Sequence, residues 1–278
     1  MVKKVMTIAG SDPSGGAGLQ ADLKTFAAMK VYGLSVVTAV TAQNTTAVTG
    51  IHAVPPEFVA KQIDTVLADI IVDAVKTGML ANVKNIETVC ERLRDFSVPN
   101  IVVDPVMVAT SGDLLMSEHT DRVLWAFRNI LIPAAKVITP NIPEAEILTG
   151  REIRNVDDMK AAALNLQNLG ISNVVIKGGH LERQKEAVDI LLAGNDFYEY
   201  RDTWIATKNT HGTGCTFSAA LAVGLAQGLR VNEAVGRAKK FVHNALQYGF
   251  AVGRGRGPAN HFGEIYRLLD DRAEEGEK

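Results

Sequence analysis

The sequence is short of cysteine, aromatic residues and net charge, and each shortage removes a class of protein. Its two cysteines, Cys90 and Cys215, make neither a disulfide framework nor a CxxC metal pair. Aromatic residues are only 6% of the chain, and the formal charge is −2. A broad nucleic-acid surface, which needs clustered Lys and Arg, is not expected. No run approaches the roughly 20 apolar residues of a membrane span. The start, Met1 to Gly16, breaks after a short apolar run into Asp, Pro and Gly, so it reads as a first strand and not as a signal peptide. The expectation is a cytoplasmic protein with no nucleic-acid or membrane partner.

What the chain does have is apolar material, 47% of 278 residues, and this is ample for a core. Short β-branched runs alternate with longer helical patterns. Strands are expected at Val5–Ala9, Leu34–Val40, Ala74–Lys76, Asn100–Val103, Lys136–Thr139 and Asn173–Ile176. Helices are expected at Gln20–Met29, Pro56–Ile71, Val83–Asp95, Asp121–Leu131, Pro143–Thr149 and Val156–Leu169. This alternation implies an α/β fold with a mostly parallel central sheet and helices on both faces. Ala193-Gly194-Asn195-Asp196 marks a hairpin between Glu186–Leu192 and Phe197–Ile205. Long helices follow at about Gly214–Gln227 and Asn232–Gly249, and residues 271–278 read as a frayed tail. One domain over residues 1–278 is the simplest organisation.

Five segments carry chemistry. Gly10 to Gly18 lies between a strand and a helix, with three glycines in its last four residues. Its backbone can approach a ligand closely and the helix start offers free N–H groups. It is neither a dinucleotide fingerprint nor a P-loop, because the spacing is wrong and no Gly-Lys-Ser/Thr follows. Asp22, one turn into the helix, reads either as a ligand contact or as a solvated first-turn acid. Asn209 to Thr216 opens a long helix; Gly212 and Gly214 free amides to converge on an anion, and the helix field is expected to lower the Cys215 pKa. His211 reads as a loop residue and not as a metal ligand. Asp104 and Glu144, each just past a strand, could share a hydrated Mg²⁺; alternatively Glu144 is an ordinary first-turn acid. Lys177, before two glycines, could reach a phosphate or snorkel at the surface.

In order along the chain, residues 8–26, 38–45, 76–80, 102–107, 139–150, 175–180 and 207–222 resemble the ribokinase-like superfamily. Within it they are similar to the hydroxymethylpyrimidine/phosphomethylpyrimidine kinases of thiamine biosynthesis. The resemblance implies a three-layer ribokinase-like fold and transfer of phosphate from ATP, with Mg²⁺, to a pyrimidine alcohol and then to its monophosphate. It implies that Cys215, where most superfamily members carry Asp, is the base, with Lys177, Gly212 and Gly214 completing the catalytic set. Gln43 would read the aminopyrimidine, and Gly10, Asp22, Met79 and Val106 would form the remaining wall. ATP would meet Lys177, Thr207, Thr213, Gly214 and Val242, and Asp104 and Glu144 would hold the metal through water. A homodimer with contacts near residues 33–46 is also implied. Segments 178–185 and 110–115 are expected as lids. Two rivals stand beside this reading: a pyridoxal/pyridoxine kinase on the same scaffold, and a binder of nucleotide or pyrimidine without catalysis.

Overall fold

The computed structural model describes residues 2–107, 120–179 and 186–276. Segment 110–115 and the part of the second expected lid from 180 to 185 lie outside them. The described residues form one nine-stranded sheet of order β3-β2-β1-β4-β5-β6-β7-β8-β9. These strands are β1 (Lys4–Ser11), β2 (Tyr32–Gln43), β3 (Val48–Ala53), β4 (Ala74–Thr77), β5 (Ile101–Val103), β6 (Val137–Ile138), β7 (Asn173–Lys177), β8 (Glu186–Ala193) and β9 (Asp196–Thr203). The run from β2 to β7 through β1 is parallel. The edge strand β3 and the β8–β9 hairpin are antiparallel.

Successive residues of one strand point to opposite faces, and the core divides accordingly. Met6, Val75, Val103, Ile138 and Val174 face one apolar layer. It is completed by α2 (Pro56–Leu67), α3 (Val83–Asp95), α4 (Thr120–Ala126) with the π-helical turn Phe127–Leu131 and short α5 (Ile132–Ala134), α6 (Ile142–Thr149) and α7 (Val156–Gln167). Their neighbours Val5, Ala74, Val102, Val137 and Val175 face the other layer. That layer holds α1 (Gly18–Ala28), α8 (Thr213–Ala226) and α9 (Val231–Gln247). Helices on both faces give the three-layer architecture expected. From Thr216 to Ala226 every residue of α8 is buried. A helix apolar all round belongs inside, and this one is fixed beneath the strand ends.

The departures are local. β2 runs three residues past the expected strand, so Gln43 ends a strand instead of following one in a loop. β3 was not expected: its residues are mostly exposed, so it carries no buried alternation. The expected helix Asp121–Leu131 changes to π geometry at Phe127. At the chain end α10 (Gly263–Gly276) runs into the segment 271–278. Among the described residues no helix is long and apolar enough to cross a membrane.

Candidate active site

The parallel strands β1, β4, β5 and β7 end on one side, where ligands of open α/β sheets bind. A cleft of about 1420 Å³ lies there. Gln43, Gly10, Met79 and Val106 line it together with Asp104, Glu144, Lys177, Thr207, Val242 and residues 212–215. Of the expected site residues, only Asp22 is absent from its wall.

Two glycine-rich turns form the floor. Asp12 organises the first: one carboxylate oxygen accepts from the Ser14 N–H at 2.8 Å and hydroxyl at 2.7 Å. The other accepts from Gly16 N at 3.1 Å and Ala17 N at 2.8 Å, and lies 2.8 Å from His211 Nε2. Burial pushes Asp12 up, yet His211, Ser14 and the Ala17 amide outweigh it and bring its pKa to about 2. His211, expected only as a loop residue, is buried and ties the second turn to the first. Gly212 caps α8 with φ +79°, and a Cβ there would overlap the Gly16 carbonyl oxygen. Gly212→Ala is therefore expected to cost about 1–3 kcal/mol. Urea unfolding checks this; a variant as stable as its parent would mean that the turns separate freely.

Above this floor the N-terminal amides of α8 meet a charged cluster. A Cβ on Gly214 would stand 3.2 Å from Lys177 Nζ. Lys177 lies 3.0 Å from Asp104 Oδ1, and its side chain is only 12% exposed, which rules out a snorkelling surface lysine. Ser218, one turn into α8, donates to Asp104 Oδ2 at 3.1 Å. Burial pushes Asp104 up, but the Lys177 and Lys76 ammonium groups hold it below the ordinary carboxylate range. Burial pushes Glu144 up to about 7, against the pull of Lys177 and with that of Asp104. Glu144 also closes a capping box with Asn141, so the first-turn role is real and sits beside any ligand role.

Magnesium takes few carboxylates and keeps several waters. Among the described residues no cluster of three or more His, Cys, Asp or Glu could hold a metal directly. Two acids on one cleft, with the second held up near neutrality beside the first, fit a hydrated Mg²⁺ bound through water.

Cys215 opens on the cleft while the Gly18 N–H hydrogen-bonds to its sulfur. The expected lowering of its pKa is overturned. Burial pushes the thiol up to about 11, and the Lys76 ammonium opposes this without winning. Desolvation, with the Asp22 and Asp104 carboxylates, thus outweighs the Lys76 ammonium and the Gly18 N–H, the influences that favour the thiolate.

Asp22 also needs correction. It is neither a cleft wall nor a solvated acid: it is 0% exposed and paired with Lys76 at 2.9 and 3.1 Å. Thr7 donates to it at 2.6 Å. Lys76, itself buried, reaches up from β4 to the cleft floor. A lysine within a short strand gives no sequence signal of such a role. Asp12 gave one, since Asp followed two residues later by Ser is an Asx-turn pattern. On the opposite wall Thr41 Oγ1 lies 2.9 Å from the Ser11 carbonyl oxygen and 3.2 Å from Gln43 Oε1, so its single proton is shared between the first turn and the amide. Thr207 holds its own loop by accepting from Asn209 N at 3.1 Å.

Comparison with known proteins gives the family. The family model for phosphomethylpyrimidine kinase matches residues 12–260. The hydroxymethylpyrimidine/phosphomethylpyrimidine kinase of Bacillus subtilis is 45% identical over 94% of this chain and 95% of its own. The thiamine biosynthesis bifunctional protein ThiED of Geobacter sulfurreducens is 50% identical over 92% of this chain, which spans only 52% of that longer protein. An ADP complex of Bacillus subtilis pyridoxal kinase superposes with a TM-score of 0.87 at 38% identity, covering 96% of this chain and 100% of that one. With geometry, motifs and relatives in agreement, the chain belongs to the phosphomethylpyrimidine kinase family.

Proposed function

We propose that this protein transfers the γ-phosphoryl group of ATP to 4-amino-5-hydroxymethyl-2-methylpyrimidine, and then to the resulting monophosphate, in thiamine biosynthesis. The observation that carries the reading is the convergence of Gln43, Cys215, Lys177 and the Gly212–Cys215 amides on one cleft. The glutamine amide donates and accepts in one plane, as an aminopyrimidine edge requires. In the first transfer the alcohol oxygen attacks the γ-phosphorus, the bond to ADP breaks, and the alcohol proton passes to the Cys215 thiolate. Lys177 and the α8 amides meet the charge spread over the equatorial oxygens. Asp104 and Glu144 would hold Mg²⁺ through water, and the ion would neutralise phosphate charge. Thr207 and Val242 mark the nucleotide end. The homodimer belongs to this reading too: Tyr32, Val40 and Ile51 stand exposed on β2 and β3, near the expected contact.

A pyridoxal kinase is the second reading, favoured by the superposition on the Bacillus subtilis enzyme. Greater identity to the pyrimidine kinase, 45% against 38%, favours the first. Steady-state kinetics with ATP on both alcohols is expected to give the pyrimidine the larger kcat/KM. A larger value for pyridoxal overturns the assignment, and nucleotide binding without turnover of either leaves a binder.

A further inference from the structure

Segment 249–260 borders the cleft and is held at its middle and at its C-terminal end. Near its C-terminal end the His211 N–H donates to Gly257 O at 3.0 Å, and the Ala259 N–H to His211 O at 3.4 Å. Asn260 N also donates to Ala245 O at 2.8 Å. Further back, Gly255 N donates to Thr45 Oγ1 at 3.1 Å, and Arg256 N to Thr45 O at 3.1 Å. A Cβ on Gly255 would overlap the Thr45 carbonyl oxygen, so only glycine permits this approach. The strap thereby joins the turn that presents the α8 amides to the loop just after Gln43. Arg254 and Arg256 flank the Thr45 contact, and both line the cleft.

The charge balance of the cleft gives these arginines a task. Lys177 is already committed to Asp104, and Lys76 to Asp22. Lys239 is committed to Asp189. Among the described residues three cleft-lining cations have no ion-pair partner: Lys208, next to Thr207, and Arg254 and Arg256, next to Thr45. A neutral alcohol needs no further cation. A phosphate monoester brings a charge of about −1.5 to −2, and it must approach another polyphosphate. The Gly255 and Arg256 contacts set the backbone of both arginines beside Thr45, two residues past Gln43.

We propose that Arg254 and Arg256 form a subsite for the phosphate monoester acceptor, holding the non-attacking oxygens of its phosphate during the second transfer. This rests on the two-step reading above. One anionic oxygen of the substrate phosphate attacks the γ-phosphorus, a P–O–P bond forms, and the bond to ADP breaks with its electron pair. Planar guanidinium groups suit the remaining oxygens because they donate in a fork.

The test compares kcat/KM for the pyrimidine alcohol and for its monophosphate, at saturating ATP, in the parent and in Arg254→Gln/Arg256→Gln. The expected result is a fall of at least about tenfold in the monophosphate-to-alcohol ratio, partly restored in Arg254→Lys/Arg256→Lys. Parallel loss on both acceptors, a raised KM for ATP, or an unaltered ratio overturns the subsite. A second measurement uses the parent protein alone: calorimetric binding of the monophosphate should weaken with salt more steeply than binding of the alcohol. Equal salt dependence counts against the arginines. Failure of the parent to phosphorylate either acceptor defeats the two-step reading itself; normal turnover of both by the parent, with an unaltered ratio in the variants, defeats only the subsite.

Discussion

Cys215→Ser is expected to lower kcat for the pyrimidine alcohol by about 10²–10⁴-fold, the range for a lost general base, with KM for that alcohol nearly unchanged. The sulfur sits in the cleft with the α8 amides and receives the Gly18 N–H, so an oxygen in its place keeps the geometry. What it loses is basicity, since a serine hydroxyl ionises far less readily than a thiol. Burial, opposed by Lys76, holds the thiol up to about 11, so only the thiolate fraction accepts the proton. The alcohol reaction should therefore accelerate with rising pH below that value, by up to about tenfold per unit. Cys215→Asp, whose carboxyl ionises at lower pH than a thiol, should shift the rise of the profile to lower pH. The second transfer offers an already anionic nucleophile and needs no proton acceptor, so Cys215→Ser should impair it less. Equal kcat for parent and Cys215→Ser on the alcohol would remove the thiol from the mechanism.

The sequence carried the local parts of this site and hid the parts that depend on long-range pairing. Helix α3 occupies the residues expected, Val83–Asp95, because Asn82 caps it and Ile86, Val89, Cys90 and Leu93 repeat on one buried face. The β8–β9 hairpin followed from Gly194, whose φ of +59° is the turn geometry. The two glycine-rich turns of the cleft floor were legible because glycine clusters beside helix starts mark a close backbone approach. Strand β3 was not, since an edge strand exposed along most of its length shows no period-two burial. The Cys215 pKa was misjudged in direction because the sequence shows the helix behind the thiol and not the protein packed around it. Asp22 and Lys76 stand 54 residues apart, and a carboxylate read in isolation defaults to solvent. Likewise Thr45 and Gly255 are 210 residues apart, so nothing in either segment announces the strap.

Lys76→Met is expected to destabilise the protein by about 3–5 kcal/mol, the cost of stripping one partner from a buried ion pair. Both side chains are fully buried, and Asp22 accepts from Lys76 through both oxygens. Burial already pushes Asp22 above the ordinary carboxylate range, and Lys76 is the chief opposing influence. Without Lys76 the folded value rises further above that of the unfolded chain. A carboxyl raised in this way contributes stability below its unfolded value and loses it as pH climbs through the folded value. The deficit of Lys76→Met should thus be smallest near pH 4, about the ordinary aspartate value, and grow toward neutrality. Urea unfolding from pH 4 to 8 measures it. Asp22→Asn/Lys76→Met leaves Thr7 an acceptor and removes both charges, so it should recover most of the loss and erase the added pH dependence. A deficit that stays constant across this range, or persists in full in the double variant, would mean that lost packing and not an orphaned carboxylate is responsible. The double variant also separates stability from chemistry. Lys76 is the main influence opposing the rise of the Cys215 pKa. A refolded double variant should therefore still turn over the alcohol more slowly than the parent at neutral pH, with the gap closing as the solution becomes alkaline.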